Sequence, residues 1–279
     1  MKPASWTAIA AALLTVAGLG GLYWYQQRRQ PPPPEPAPVA TAPAPAPAAP
    51  ASEPAIRHPL PEPAAVSAPA PLVAVDAANP WTAVANDLVG RGNAVRFVAL
   101  DDFARRLVVT VDNLARAHAA PRLWPLHPTP GRFSVVGEGE ARTVAPTNPA
   151  RYAPVVGMLA AVDARRVAAY YVQMYPRLQK VYEELGYPGK YFNDRVVDVI
   201  DHLLATPDPA EPLAITLLDI KGEVPSAQPW LRYEFADPAL QSLSSGQKIL
   251  LRVGSAHRAT LKAKLRELRA LISRAPLTR

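Results

Sequence analysis

Proline is the residue that most constrains how this chain can fold, because it is abundant and unevenly placed. The 279-residue chain contains 34 prolines, and roughly half of them lie between Pro31 and Pro71. Proline lacks a main-chain donor, restricts φ and biases the preceding residue towards extended conformations. The stretch also has few large apolar side chains to offset its ordering entropy. We therefore predict a disordered, extended Pro/Ala-rich linker over residues 26–80.

Such a linker is long and semi-rigid. About fifty residues from Pro31 onward reach at most about 150 Å, at about 3.1 Å per residue in a polyproline-II conformation. A tether of this kind lets a folded domain act far from its attachment point, and similar Ala/Pro spacers occur in bacterial envelope proteins. A proline-motif ligand is the alternative interpretation, although nearly any proline tract contains PxxP spacings.

The residues before the linker form an uncharged apolar stretch, residues 6–25. A helix of this length spans about 30 Å, the thickness of the hydrocarbon core of a bilayer. Aromatic side chains lie at both ends, Trp6 at one and Tyr25 at the other, where they favour the headgroup level. A cleaved signal peptide is the alternative, but no small-x-small site closes the stretch. We predict a short tail, residues 1–5, followed by one transmembrane signal-anchor helix.

Charge does not decide the orientation of this helix. Lys2 and the α-amine lie before it, while Arg28 and Arg29 lie after it. The positive-inside rule therefore gives nearly a tie, which leans slightly against export of the C-terminal side. The type of spacer favours export. We expect a single-pass protein of the bacterial inner membrane, with its C-terminal domain in the periplasm.

Residues 81–275 are numerous enough for one globular domain with a sizeable core. Their apolar periodicity predicts a mainly α fold with a small β component, an α+β class. Asp163, Asn193 and Ser255 are the expected N-caps of three helices. The expected helices are residues 101–117, 163–185, 194–205, 237–253 (in two pieces) and 255–273, and the expected strands are residues 133–136, 141–144, 213–220 and 230–235.

Tyrosines follow the apolar face of the strongest predicted helix, residues 163–185, among them Tyr170, Tyr171 and Tyr182. Tyrosines at helical spacing can stack on sugar rings, which would suit an envelope protein. Core packing is the commoner role of such a stripe. We therefore predict that these tyrosines belong to the core.

The next predicted helix carries the most metal-like side chains of the sequence. Asp194, Asp198, Asp201 and His202 share one side of it, opposite the apolar face. Metal sites need convergent ligands, usually from more than one element, and a second shell that orients them. We interpret this set as a solvated acidic face and predict no metal site.

Basic residues are concentrated at the C-terminal end. Residues 246–279 contain nine Lys and Arg against one acidic residue, Glu267, whereas the whole chain has a net charge of +7. One interpretation is a basic face that binds an anionic lipid, a glycan or an acidic envelope protein. The other is a solvated face paired in part with the acidic helix. Nucleic acid is not an expected partner of a membrane-anchored envelope protein. The candidate interaction residues are Lys248, Arg252, Arg258, Lys262, Lys264, Arg266 and Arg269.

Catalytic motifs are weak. The chain has no cysteine, which excludes disulfides, thiolate metal sites and a cysteine nucleophile. Ser245 and Lys248 match the S-x-x-K pattern of penicillin-binding enzymes, but no K-[ST]-G follows, and helix capping explains a serine at this position. We predict no catalytic, cofactor-binding or metal-binding residues and no cofactor.

Four long stretches of the predicted domain resemble a known family. They are TVDNLAR (residues 110–116), YPGKYFNDRVVDVIDHLL (187–204), YEFADPALQSLSSGQKILLRVG (233–254) and KAKLREL (262–268). The domain resembles the bacterial domain-of-unknown-function family 3014 over residues 99–271. The resemblance implies a domain commonly found behind an N-terminal membrane segment in Gram-negative bacteria, and it carries over no catalytic residues.

Anchor, linker and domain together suggest a functional hypothesis. We expect a membrane-tethered, non-catalytic envelope protein whose periplasmic domain binds another envelope component. The alternative is a cell-envelope hydrolase or transferase with an unrecognised active site.

Overall fold

The computed structural model describes residues 56–62, 72–74, 79–218 and 232–273 of the chain. These residues belong to one compact unit, Ser52–Arg279. The predicted anchor and most of the predicted linker lie outside the described residues. Among the residues that the structure describes, no helix is both long and apolar enough to cross a membrane.

The described part consists mainly of α-helices with two short β-hairpins, which confirms the predicted mainly α class with a small β component. Helices α1, α2 and α4 have no counterpart among the sequence predictions. The helices are α1 (Pro80–Val89), α2 (Arg91–Phe97), α3 (Phe103–Leu114), α4 (Ala153–Ala161), α5 (Ala164–Glu184), α6 (Phe192–Leu204), α7 (Pro238–Gln241), α8 (Ser245–Arg252) and α9 (Ser255–Ile272). The strands are β1 (Val135–Val136), β2 (Thr143–Val144), β3 (Ile215–Leu217) and β4 (Tyr233–Phe235).

Helix α5 shows how the sequence sets the start and the packing of an element. The Asp163 carboxylate accepts hydrogen bonds from the main-chain N–H groups of Arg165 (2.8 Å) and Arg166 (3.0 Å), as predicted for an N-cap. The apolar stripe of the helix is buried, which confirms the predicted core role of two of its tyrosines. The buried residues of this stripe are Tyr170, Met174, Leu178 and Tyr182.

The centre of the domain is formed by α3, α5, α6 and α9, which pack against one another. Their buried apolar residues fall into separate clusters. One cluster, around Ala168 and Ile200, joins α5, α6 and α9, while another, around Val108 and Phe192, joins α3, α5 and α6. A third, around Leu250, joins α6 and α8. Partly buried side chains connect these clusters: Tyr171 packs against the first two, Val111 against the second and third, and Leu265 against the first and third.

The hairpins extend the core on the side of α8. Strand β1 pairs antiparallel with β2, and β3 pairs antiparallel with β4, with Ile215 opposite Phe235. A main-chain bridge between Thr143 and Ala214 joins the two hairpins. Ile215 and Phe235 pack against Leu251 of α8. All four predicted strands are therefore present in shortened form.

Two of the predicted helix caps are wrong. Asn193 lies inside the first turn of α6, and its buried amide donates hydrogen bonds to the carbonyl oxygens of His58 (2.7 Å) and Ile272 (3.0 Å). Ser255 is the first residue of α9, and its hydroxyl contacts the Glu211 carboxylate (3.1 Å). Both side chains bind distant partners, which a local capping rule does not include.

Candidate functional site

A large apolar cavity lies between the helices of the domain. Its volume is about 510 Å³, it is partly open to solvent, and α1, α3, α4, α5, α6, α8 and α9 all contribute to its walls. Each of these helices contributes large aliphatic or aromatic side chains. Representative wall residues, one from each helix, are Leu88, Leu107, Leu159, Val167, Leu203, Ile249 and Leu265.

Residues of several core clusters border the cavity. Leu178 belongs to one core cluster, Leu250 belongs to a second and Leu265 packs against a third, yet all three residues line the same space. Protein interiors are otherwise close-packed, with few voids larger than a water molecule. A volume of about 510 Å³ lies within the usual range of small-molecule sites, about 300–1,000 Å³.

The polar groups in the walls already have partners. The Tyr170 hydroxyl donates to the Asp87 carboxylate (2.8 Å) and accepts from the main-chain N–H of Val73 (3.0 Å). The Tyr171 hydroxyl donates to the Asn193 side chain (3.0 Å). Burial raises the pKa of the Tyr171 hydroxyl well above its usual value, so this phenol stays neutral. These hydroxyls are therefore committed to the protein and leave the cavity walls apolar.

Lys264 is the charged residue of the cavity wall, and its ammonium group also has partners. It donates to the carbonyl oxygen of Val162 (3.1 Å) and to the Glu267 carboxylate (2.7 Å). Lysine often covers apolar surface with its aliphatic stem while the ammonium group stays polar. The stem of Lys264 therefore extends the apolar wall.

The cavity is partly open to solvent, and the surface that it presents is almost wholly apolar. Removing apolar surface from water is favourable by about 25 cal/mol per Å². The arrangement is suited to an apolar ligand that is held by burial.

The C-terminal basic residues differ in burial and in their partners. Arg258, Lys262 and Arg269 are buried in α9. The Asp208 carboxylate accepts from Arg258 (2.6 Å) and Lys262 (3.0 Å), and these two cations lower the pKa of that carboxyl. Arg269 pairs with Asp201. Of these three residues, Arg269 alone pairs with the acidic helix, while Arg258 and Lys262 pair with Asp208 beyond its end.

The other four candidates are dispersed. The Lys248 ammonium donates to the carbonyl oxygen of Gln241 (3.2 Å), and burial lowers its pKa. The Arg252 guanidinium donates to the carbonyl oxygen of Tyr233 (3.2 Å). Lys264 lies in the cavity wall, whereas Arg266 is exposed. The seven candidates therefore share no single surface.

The predicted solvated acidic face on α6 is present only in part, because the side chains of Asp198 and Asp201 stay about two-fifths exposed whereas Asp194 does not. Asp194 is buried, Asp198 pairs with Arg57 (2.5 Å) and Asp201 pairs with Arg269. Each carboxylate is thus used in a contact with another segment of the chain. Within the described residues, no group of three or more His, Asp or Glu side chains could hold a metal ion.

The serines of the S-x-x-K pattern have structural roles. The Ser245 hydroxyl donates to the carbonyl oxygen of Asn113 (2.9 Å). Ser244 caps α8 by accepting from the main-chain N–H of Gln247, and its buried hydroxyl also contacts the His202 ring (2.9 Å). A serine next to a histidine can be an activated nucleophile, but this hydroxyl already serves as a helix cap and does not line the cavity.

Sequence reasoning missed the cavity although it identified many of its residues. Periodicity assigns Leu107, Leu114 and Leu265 to apolar faces, and all three line the cavity. An apolar face that meets a neighbouring helix has the same pattern as one that meets a cavity. The excess of apolar residues is therefore not a usable signal of a binding site.

Comparison with known proteins gives one match. A family model described as "Protein of unknown function (DUF3014)" matches residues 103–269, which run from the start of α3 almost to the end of α9. No curated protein and no solved structure matches the chain.

Proposed function

The chain belongs to the family described as Protein of unknown function (DUF3014), and from that premise we propose a function based on the cavity. The domain is a non-catalytic, membrane-tethered binding module that holds the acyl chain of a lipid. The observation that carries this proposal is the cavity of about 510 Å³, walled by large apolar side chains from seven helices.

The chemistry of the walls favours a hydrocarbon chain over the other partner classes. A glycan needs hydrogen-bond donors and acceptors at its hydroxyls, and specific polar ligands need a few convergent polar groups. The wall hydroxyls of Tyr170 and Tyr171 are already bound to Asp87 and Asn193. An acyl chain needs no such groups, and each buried methylene contributes about 0.8 kcal/mol.

The predicted architecture of the chain supports a lipid ligand. A transmembrane helix at residues 6–25 would keep the domain beside a lipid bilayer, which is the source of acyl chains. The predicted linker would give the domain the reach to act away from that bilayer. We propose that the domain lies in the periplasm and receives its ligand from an envelope membrane.

Photo-crosslinking in lipid nanodiscs tests this proposal with the full chain. The probe is a fatty acid that carries a diazirine on its acyl chain, and the labelled peptides are identified by mass spectrometry. We expect label on cavity-lining residues of α3 and α9. Label on the predicted anchor, residues 6–25, serves as an internal control for lipid contact.

Two variants fill the cavity from opposite ends of the sequence, Leu107→Trp and Leu265→Trp. If the tryptophan excludes only two methylenes of the acyl chain from the cavity, at about 0.8 kcal/mol each, labelling of the domain should fall about tenfold. Labelling of the anchor should stay unchanged. The matched control is Leu217→Trp, at an exposed position of β3. Thermal melting verifies that each variant folds. If the domain is unlabelled, or if all three variants label equally, the cavity does not bind acyl chains.

A further inference from the structure

A short segment of the predicted linker lies against helix α6. The Asp194 carboxylate accepts hydrogen bonds from two successive main-chain N–H groups, those of Arg57 (3.2 Å) and His58 (2.7 Å). The carbonyl oxygen of His58 in turn accepts from the Asn193 amide (2.7 Å). The helix therefore binds both the N–H groups and a carbonyl oxygen of the linker main chain.

Side chains of the segment add contacts. The Arg57 guanidinium donates two hydrogen bonds to the Asp198 carboxylate, at 3.1 and 2.5 Å, in the bidentate geometry that arginine favours. The His58 ring contacts the Ser273 hydroxyl (3.1 Å), next to the end of α9. Pro61, further along the segment, is buried.

This pattern is that of a peptide-binding surface. Main-chain hydrogen bonds provide a contact that any extended segment can make, and a side-chain contact gives specificity. Here Asp194 and Asn193 form hydrogen bonds with the main chain of the segment, while Asp198 forms an ion pair with its arginine. His58 precedes a proline, which biases it towards the extended conformation before binding.

We propose that the surface formed by Asn193, Asp194, Asp198 and Ser273 is a docking site for residues 56–62 of the chain's own linker, and that docking sets the free length of the tether. When the segment is docked, the free linker ends near Arg57, which leaves about 26 residues after Pro31. At about 3.1 Å per residue, the upper reach is then about 80 Å, against about 130 Å when the linker is held to the domain only by the contact of Val73 with Tyr170.

The ion pair suits reversible docking. The Arg57 and Asp198 side chains are 58% and 41% exposed, so salt screens their attraction. The main-chain contacts to Asp194 are more protected, because this carboxylate is buried. A segment held in this way can undock without unfolding the domain, and the tether then lengthens.

Pulsed electron paramagnetic resonance on the full chain in lipid nanodiscs tests the docking. The chain has no cysteine, so spin labels at Ile56→Cys and Ala270→Cys report one defined distance. We expect a narrow distance distribution in the parent chain. Asp198→Arg should increase the undocked, broad component about fivefold. The charge-swapped pair Arg57→Asp with Asp198→Arg should restore the narrow distribution.

The controls separate docking from misfolding and from exchange between copies. Glu184→Gln, at an exposed carboxylate of α5, should leave the distribution unchanged. If Asp198→Arg has no effect, or if the swapped pair does not restore the narrow peak, the docking site is refuted. A narrow peak that arises only between singly labelled copies would show that a second chain supplies the segment, which overturns docking within one chain.

Energy transfer from a fluorophore at position 270 to acceptor lipids tests the effect on the tether. We expect lower transfer in Asp198→Arg than in the parent, because the undocked tether is longer. Undocking without any change in transfer would refute the control of tether length and leave the lipid-binding proposal untouched.

Discussion

Replacing Gly246 by alanine is expected to destabilise the domain, although alanine normally favours a helix. Gly246 is the second residue of α8, where this helix meets the end of α3. A Cβ at this position would lie 2.6 Å from Leu203 Cδ2, 2.8 Å from the Leu114 carbonyl oxygen and 3.1 Å from Leu114 Cβ. The leucine methyl group can rotate away, but the carbonyl oxygen belongs to the main chain of α3, so the helices themselves must move apart.

The magnitude follows from two opposing effects. Glycine-to-alanine replacement at an unstrained position stabilises a protein by about 0.4–1 kcal/mol through the unfolded state. Overpacking of a close contact costs about 1–3 kcal/mol. The free energy of unfolding should therefore fall by about 1–2 kcal/mol. For a domain of this size, about 2–4 °C per kcal/mol gives a Tm lower by about 2–8 °C.

A matched substitution isolates the contact. Gly92 is also the second residue of a helix, α2, but it is exposed and a Cβ there would have no neighbour within 4 Å. Gly92→Ala should raise the Tm by about 1–4 °C. Thermal melting followed by near-ultraviolet circular dichroism measures both. If the two variants shift the Tm in the same direction by similar amounts, α8 and α3 do not approach as closely as the structure has them.

Three further predictions concern charge and ionisation. Asp201→Asn removes the carboxylate that buried Arg269 contacts and should lower the free energy of unfolding by about 1–2 kcal/mol, a loss that is limited because Asp201 is partly solvated. The control, Glu184→Gln in an exposed pair, should change the free energy of unfolding by less than about 0.5 kcal/mol in the same urea titration. A hydrogen-bonded arginine lowers the pKa of Asp87, so the contribution of this carboxylate to stability is complete above the usual carboxyl pKa of about 4 and is lost at lower pH. Because Asp87→Asn removes this titrating group, the Tm of the variant should fall less steeply as the pH is lowered. Burial raises the pKa of Tyr171 well above its usual value. Tyr171→Phe should therefore leave unchanged the number of phenols that titrate near the usual pKa of about 10 in ultraviolet absorbance, and loss of one such phenol would contradict the burial of this hydroxyl.

The predicted elements succeeded where local pattern and local chemistry agree. Helix α5 begins after Asp163 and buries two of the predicted tyrosines, Tyr170 and Tyr182, because its cap and its apolar stripe lie within one segment. The hairpin of β1 and β2 follows from two short apolar runs around glycine-rich residues. Helix α4 was missed because it is apolar on all sides, and such a helix shows no amphipathic period.

The charged residues show the opposite case. Sequence spacing placed Asp194, Asp198 and Asp201 on one helix side and interpreted that side as solvated. In the folded domain their partners come from the linker and from α9, between 68 and 141 residues away along the chain. A rule based on helical spacing relates only residues that are a few positions apart in the sequence. It therefore cannot identify a carboxylate that a distant segment covers.

The sequence by itself determined the mainly helical class and the family, and it predicts the anchor and the linker, because each depends on composition or on patterns within one segment. Tertiary structure alone decided which charges are buried, where the linker docks and where the domain is hollow. The physical reason is that a cavity and a docking surface are properties of the space between segments. An apolar or charged side chain has the same sequence signature whether it meets a neighbour, a ligand or water.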